Sequence, residues 1–246
     1  MTALSVSNLS RNFGGVRAVS DVSFGVEAHE RRLIIGPNGA GKTTLFNLLS
    51  GAVSASAGRI DLFDRDITRL APYERARMGL SRTFQITNLF PRLTVLQNVI
   101  LALQSIEGDA WNLLRPLAAN RRLHDEAIGL LTQSGLAALA DNTARNISYG
   151  EQRQLDLLLA LAVRPKVLLL DEPTAGLSAA EVVRIVGILR ELPKEVTVLM
   201  IEHDMDVAFS LADRITVLHH GRIIAEGDVA AIRANPQVTE IYLGAE

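Results

Sequence analysis

The chain has no cysteine among its 246 residues. This absence excludes a disulfide scaffold, a thiolate metal site and a cysteine nucleophile, and it suits a cytosolic protein. A large excess of charge is also missing, because 25 Lys and Arg residues face 27 Asp and Glu residues, which gives a net charge of -2. This near balance gives no reason to expect a nucleic-acid-binding face, so we expect no nucleic acid among the partners.

Long apolar runs are missing as well. The most apolar continuous stretch, residues 157–163, ends at Arg164 and Pro165 and falls far short of the roughly 20 residues that a membrane helix needs. Residues 1–13 mix polar and apolar side chains, so we do not expect a secretory signal. Any membrane process would therefore need other subunits to supply the spanning helices. The hydrophobic content of 48% is still enough for a sizeable core.

Short apolar runs that end in turn residues predict the strands. Residues 5–13 and 19–26 flank Gly14 and Gly15, which indicates an antiparallel β-region at the N-terminus. Further buried strands are predicted at residues 33–35, 167–170, 196–201 and 215–218. Because helical segments alternate with these strands, at 43–49 and after the capping box of Ser178 and Glu181, we expect an α/β core with a mostly parallel sheet.

The middle of the chain has a different pattern. Residues 90–162 show helical periodicity throughout, with Thr94 and Gln97 as another capping box. We interpret them as a helical lobe inserted into the α/β core. The core then comprises residues 1–89 and 163–246, including a C-terminal tail at 226–246. Residues 52–58, rich in Ala and Ser, predict a turn.

The strongest motif lies between the predicted strand 33–35 and the predicted helix 43–49. It consists of Gly36, Pro37, Asn38, Gly39, Ala40, Gly41, Lys42 and Thr43, followed by Thr44. In this phosphate loop, glycines let backbone N–H groups surround phosphate oxygens, and the following helix points its positive end at the same anion. Lys42 would reach the β- and γ-phosphates, and the Thr43 hydroxyl would bind Mg²⁺. The flanking elements disfavour the alternative, a glycine-rich turn with a surface lysine.

Two carboxylates follow the predicted strand 167–170. The ligand crevice of an open α/β sheet lies at the carboxyl ends of its strands, which is where the sequence places Asp171 and Glu172. Asp171 would support the Mg²⁺ shell, and Glu172 would orient or deprotonate an attacking water. Strand ends are often charged, so alone this pair could equally be a solvated acidic strand end. Together with the phosphate loop it indicates nucleotide hydrolysis.

In the order of these motifs the chain resembles the ABC ATPases. The positions that carry this resemblance are Gln85 for the Q-loop, residues 147–152 for the family signature, residues 174–178 for the D-loop, His203 for the switch histidine and Phe13 for adenine stacking. The resemblance implies a P-loop NTPase core, with ATP and Mg²⁺ as ligands. Gln85 would sense the γ-phosphate or Mg²⁺, and His203 would hydrogen-bond the γ-phosphate or the water. The alternative interpretation of Phe13 is a plain core residue.

The family signature implies a dimer. Ser148 and Glu151 form a capping box at a helix start, where Ser148 and Gly150 offer donors to an anion. The resemblance implies that this helix start closes over ATP bound to a second subunit, so that ATP joins the two chains and hydrolysis releases them. The signature departs from the common family pattern at Tyr149, which could narrow the approach to phosphate, and at Glu151, a carboxylate near ATP.

A finer resemblance is to the ATP-binding subunits of branched-chain amino acid importers. Four passages carry it, namely residues 11–15 with 18–19, then 81–85, 149–153 and 241–244. The implied assembly has two ATPase subunits, two transmembrane permeases and, indirectly, a periplasmic binding protein, with this chain peripheral on the cytoplasmic face of the inner membrane. The alternatives are a soluble or lipid-extracting ABC ATPase and a non-catalytic, ATP-gated scaffold. The presence of Glu172 and His203 argues against the scaffold.

Overall fold

The computed structural model describes residues 1–83, 89–106 and 121–243. The strands are β1 (Thr2–Phe13), β2 (Val16–Glu27), β3 (Arg31–Ile35), β4 (Ala57–Leu62), β5 (Arg65–Asp66), β6 (Leu80–Arg82), β7 (Val167–Asp171), β8 (Thr197–Ile201), β9 (Arg214–His219) and β10 (Arg222–Gly227). The helices are α1 (Lys42–Ser50), α2 (Pro72–Arg77), α3 (Val95–Ile106), α4 (Arg121–Gln133), α5 (Tyr149–Ala162), α6 (Ala179–Arg190), α7 (Met205–Leu211), α8 (Val229–Arg233) and α9 (Pro236–Leu243).

The strands of the described residues form two sheets. The first is antiparallel, in the order β2-β1-β4-β5, and contains the predicted N-terminal β-region. The second has the order β10-β9-β3-β8-β7-β6, in which only the edge strand β10 is antiparallel to its neighbour. The predicted α/β fold with a mostly parallel sheet is therefore confirmed.

Apolar side chains of the two sheets and of α1 form one buried cluster, and α6 and α7 cover the other face of the parallel sheet in a second cluster. The four central strands consist almost entirely of buried residues, as expected for parallel strands with both faces covered. This double cover holds the strand ends, and therefore the functional side chains, in fixed positions.

Helices α3, α4 and α5 pack around a separate apolar cluster. The capping box of Thr94 and Gln97 forms as expected, since the Gln97 N–H donates to Thr94 Oγ1 (3.1 Å) and the Thr94 N–H donates to Gln97 Oε1 (2.9 Å). Helical structure is not continuous, because residues 137–148 contain only short 3₁₀ turns and a bridge joins Thr94 to Thr143. The limits of the lobe at 90 and 162 stay a prediction.

Four strands that pair in the structure were absent from the sequence prediction, and one of them, β5, has only two residues. β4 begins within the stretch that we interpreted as a turn, β6 has only three residues, and β10 is a half-buried edge strand. β4 and β6 pair with strands that are distant in the sequence, β1 and β7, which local periodicity does not reveal, whereas β10 forms a hairpin with β9 at the edge of the sheet. None of the helices in the described ranges combines the length and apolar character that crossing a bilayer requires.

Candidate nucleotide site

The functional side chains meet at the carboxyl edge of the parallel sheet. β3, β8 and β7 are neighbours in that order, and each ends in one of the motifs. The phosphate loop follows β3, Asp171 ends β7 and is followed by Glu172, and Glu202 and His203 follow β8. A crevice at the carboxyl ends of adjacent parallel strands is the usual ligand position in an open α/β sheet.

The side chain of Lys42 is hydrogen-bonded to the backbone of the phosphate loop. Lys42 Nζ donates to the carbonyl oxygens of Gly36 (2.6 Å) and Pro37 (3.1 Å). Gly41 precedes α1 with a φ of 101°, and a Cβ there would collide with the carbonyl oxygen of Ala18. Glycine is therefore required at this position. Since Gly41 has no side chain to cap α1, the first N–H groups of the helix are available to an anion.

Lys42 and the two carboxylates share one electrostatic environment. Lys42 is buried, and its pKa is lowered by that burial, while the negative charges of Glu172 and Asp171 oppose the shift. The Lys42 ammonium can attract phosphate oxygens, but the two carboxylates beside it oppose an anion, because charges interact strongly in a region that water enters poorly. A nucleotide that arrives with a divalent cation meets this requirement, since the cation offsets the carboxylate charge.

The two oxygens of the Asp171 carboxylate differ in their hydrogen bonding. Its Oδ2 accepts from Arg82 Nη2 at 2.9 Å, whereas its buried Oδ1 has no hydrogen-bond partner in the described residues. Burial raises the pKa of Asp171, and the Arg82 charge opposes this shift. Within the described residues, no three or more His, Cys, Asp or Glu side chains are grouped so that they could hold a metal ion by themselves. A Mg²⁺ site made by Thr43, Asp171 and nucleotide phosphates fits this donor set, because Mg²⁺ is commonly held by one or two carboxylates together with phosphate oxygens.

Glu172 and His203 are in direct contact across neighbouring strands. His203 Nε2 lies 2.7 Å from Glu172 Oε1, and the Glu172 side chain is 13% exposed against 48% for His203. Glu172 has a φ of 49°, which is uncommon for a residue with a side chain. The contact joins a carboxylate that could accept a proton to an imidazole that could hold the charge or the water in place.

Glu202 is a site residue that our sequence prediction missed. This buried carboxylate accepts from the Thr174 N–H (3.0 Å), the Thr174 hydroxyl (2.7 Å) and the His203 N–H (3.1 Å). Burial raises its pKa, and the hydrogen bonds from Thr174 oppose the shift. Glu202 thus ties the start of the predicted D-loop to the histidine. The available signal was an acidic residue directly after a buried strand.

Replacing His203 by alanine is expected to slow ATP hydrolysis by about 100-fold or more, a typical contribution of a group that assists proton transfer. ATP affinity should stay unchanged, because the imidazole contacts Glu172 rather than the phosphate loop. The two quantities can be measured as phosphate release and as nucleotide affinity by calorimetry. The matched control is His124→Ala, at a partly exposed histidine on α4 whose contact is with Asp125.

Loss of ATP binding in His203→Ala would contradict the role in hydrolysis and indicate a structural histidine. A wild-type rate in the same variant would contradict it too.

The predicted signature begins α5 as expected. The Glu151 N–H donates to Ser148 Oγ (3.3 Å), and the Ser148 N–H donates to Glu151 Oε2 (2.7 Å), so the capping box is confirmed. The Glu151 carboxylate is therefore turned back onto its own helix start. A Cβ at Gly150 would meet the Glu181 carboxylate, but this is the far end of a flexible side chain that can move aside, so packing does not by itself require glycine there.

Tyr149 is directed toward the predicted D-loop. Its hydroxyl accepts from Arg153 Nε at 3.0 Å and lies 3.4 Å from the carbonyl oxygen of Ala175, and its ring lies beside Gly176. The unusual aromatic residue of the signature thus contacts its own chain.

Phe13 takes no part in the contacts described above. Phe13 ends β1 with 45% of its surface exposed and the Arg11 guanidinium 4.6 Å from its ring centroid. The alternative of a plain core residue is therefore wrong for Phe13, and stacking on adenine stays a prediction. Gln85 lies outside the described residues.

Comparison with known proteins agrees with this geometry. Residues 19–175 match the ABC transporter family. The chain belongs to that family. Residues 222–246 of this cassette also match a family described as branched-chain amino acid ATP-binding cassette transporter.

Similar proteins cover this ABC cassette almost completely. One is the high-affinity branched-chain amino acid transport ATP-binding protein LivG of Salmonella typhimurium, which is 39% identical over 98% of this chain and 97% of that protein. Another is the transport ATP-binding protein BraF of Pseudomonas aeruginosa, also described as high-affinity for branched-chain amino acids, which is 38% identical over the same shares.

Solved ABC cassettes have the same fold. A nucleotide-free ATP-binding cassette from an ABC transporter superposes with a TM-score of 0.86, is 32% identical and covers 98% of this chain and 99% of its own. A dimeric cassette in a post-hydrolysis state with bound ADP and phosphate has a TM-score of 0.79 and 25% identity, covering 92% of this chain and 98% of its own. The predicted P-loop NTPase fold is thereby confirmed.

Proposed function

We propose that this chain is the ATP-hydrolysing subunit of an importer for branched-chain or related amino acids. The contact between Glu172 and His203 beside the phosphate loop carries the proposal of hydrolysis. The near full-length similarity to transport ATP-binding proteins for branched-chain amino acids, together with the match of residues 222–246, supports the importer. The subunit would lie at the cytoplasmic face of the membrane, bound to two permeases that receive substrate from a periplasmic binding protein.

In this proposal the phosphate loop binds ATP through its backbone N–H groups and Lys42. Thr43 and Asp171 would hold Mg²⁺, which supplies charge neutralisation at the β- and γ-phosphates. Glu172 orients the attacking water and accepts its proton, and His203 keeps the Glu172 carboxylate and the water in position. Gln85 would report the state of the γ-phosphate to the helical lobe.

Dimerisation completes the site in this proposal. Ser148 and Gly150 at the start of α5, with Glu151 as their cap, would meet the γ-phosphate of ATP bound to a second subunit. ATP then stabilises the closed dimer because it contacts both chains, and hydrolysis removes that advantage. This opening and closing would drive the permeases.

The importer can be tested by purifying the tagged chain from detergent-solubilised native membranes in the presence of Mg-ATP. We expect two hydrophobic permease subunits to copurify. Cells that lack the chain should lose uptake of labelled leucine, isoleucine or valine and regain it with the wild-type chain, whereas Lys42→Ala should not restore uptake.

Recovery of a soluble dimer alone, or with cytosolic partners, would keep the ATPase and contradict the importer. Copurification of membrane subunits of a lipid-extracting system would likewise keep the ATPase and contradict the importer. If permeases copurify but the uptake that depends on the chain is of a different solute, only the proposed substrate class is wrong.

A further inference from the structure

A single buried guanidinium joins two parts of the proposed metal site. Arg82, at the end of β6, has only 6% of its side chain exposed. Its Nη2 donates to Asp171 Oδ2 at 2.9 Å, and its Nη1 donates to Asn47 Oδ1 at 2.7 Å and to Ser50 Oγ at 2.9 Å. Arg82 therefore connects the acidic end of β7 to the helix that follows the phosphate loop.

The contacts on α1 lie on the same face as Thr43. The helix runs from Lys42 to Ser50, and Thr43, Asn47 and Ser50 are separated by four and three residues. Residues at these separations lie above one another along one stripe of a helix. Arg82 thus contacts the next two positions of the stripe that begins with the Thr43 hydroxyl.

The ion pair also selects which oxygen of Asp171 is available. One carboxylate oxygen is engaged by Arg82, and the other is buried without a hydrogen-bond partner in the described residues. A buried polar atom without a partner is costly unless a ligand satisfies it. The planar fork of arginine can hold the carboxylate and the α1 side chains at the same time, which fixes the direction of the free oxygen.

We propose that Arg82 is a positioning residue for Mg²⁺. It fixes the Asp171 carboxylate relative to the Thr43 hydroxyl, so that the two side chains can bind the ion together with nucleotide phosphates. The inference rests on the proposed Mg-ATP site and adds a residue that does not itself contact the ion. Arg82 thereby sets how much Mg²⁺ strengthens nucleotide binding.

A purely structural role for Arg82 predicts a different outcome. Removing one member of a buried ion pair generally destabilises the fold, and a destabilised protein would lose metal-free and Mg²⁺-bound nucleotide affinity together. The test must therefore separate the two affinities. Arg82→Lys is the variant of choice because it keeps a positive charge but cannot reproduce the fork.

The experiment measures the Kd of ATP by calorimetry in excess Mg²⁺ and in EDTA, for the wild-type protein and each variant. The ratio of the two Kd values is the gain due to Mg²⁺. In Arg82→Lys we expect this gain to fall by about 10-fold or more, the usual effect of removing a partner that orients a metal ligand, while the Kd in EDTA stays unchanged. Asn47→Ala, which removes one anchor of Arg82 on α1, should give a smaller loss in the same direction.

Arg75→Lys is the matched control. Arg75 is also buried and also contacts α1, since its Nη1 donates to the carbonyl oxygens of Leu48 (2.6 Å) and Leu49 (2.7 Å). Its other hydrogen bonds go to the carbonyl oxygens of Leu70 and Thr68, so its described partners are backbone carbonyls and not Asp171. We expect Arg75→Lys to lower the melting temperature and to leave the gain due to Mg²⁺ unchanged.

The outcomes are distinguishable. If the wild-type protein binds ATP with no gain from Mg²⁺, the proposed Mg-ATP site is wrong. If the wild-type gain is normal and Arg82→Lys keeps it, or loses affinity equally with and without Mg²⁺, only the role of Arg82 is wrong. If Arg82→Lys does not fold, Asn47→Ala decides, and an unchanged gain in that variant overturns the proposal.

Discussion

Replacing Lys42 by alanine is expected to weaken ATP binding by at least about 100-fold, since each hydrogen bond between a charged pair contributes about 1.5 to 3 kcal/mol and Lys42 would serve two phosphates. The structure holds the Lys42 ammonium inside the phosphate loop, on the carbonyl oxygens of Gly36 and Pro37. Its positive charge also faces Asp171 and Glu172. Without it, those carboxylates would repel the phosphates.

The measurement is the Kd of a fluorescent ATP analogue, checked by calorimetry with ATP itself. Lys194→Ala is the matched control, because Lys194 is exposed and follows α6. Circular dichroism should show that both variants fold. Unchanged nucleotide affinity in a folded Lys42→Ala protein would refute the assignment of the phosphate loop.

The parts of the site that sequence alone predicts are those built from consecutive residues. The loop from Gly36 to Thr43 could be recognised because its chemistry needs backbone N–H groups, glycines and one lysine in sequence. The carboxylates Asp171 and Glu172 could be placed because a fully buried strand of apolar residues precedes them. For the same reason the central strands were predicted to within about two residues, which is the usual uncertainty of element boundaries.

The parts that sequence could not predict depend on contacts between distant residues. Arg82 and Asp171 are 89 positions apart, and Thr174 and Glu202 are 28 apart. Nothing in the local pattern of a charged residue after a short strand indicates which carboxylate or hydroxyl it will meet. β10 was missed for a different reason, because an edge strand with half-buried residues shows neither strict alternation nor a continuous apolar run.

The unusual signature illustrates how structure changes a prediction. From sequence, Tyr149 could narrow the approach to phosphate, although it agrees with the branched-chain importer subgroup, and Glu151 places a carboxylate near ATP. In the fold, Glu151 caps its own helix and Tyr149 contacts Arg153 and the D-loop. Both side chains are therefore engaged within their own chain, and Ser148 and Gly150 keep their positions at the helix start.

Replacing Glu172 by glutamine should give a protein that binds ATP, forms a stable dimer and turns over about 100 to 10,000 times more slowly, the range expected when a general base is removed. Glutamine keeps the shape of the side chain and its contact with His203, so the site should remain assembled. It cannot accept a proton from water at neutral pH. ATP would then stay bound and continue to hold the two subunits together.

The dimer should be visible by size-exclusion chromatography with light scattering when ATP is present. The double variant Lys42→Ala/Glu172→Gln should stay monomeric, because a dimer joined by ATP cannot form without ATP binding. Glu195→Gln, at an exposed position, controls for the loss of one carboxylate. If the Glu172→Gln protein hydrolyses ATP at the wild-type rate, Glu172 is not the general base. If it is inactive but remains monomeric with ATP bound, Glu172 keeps its role and the composite site between two subunits is wrong.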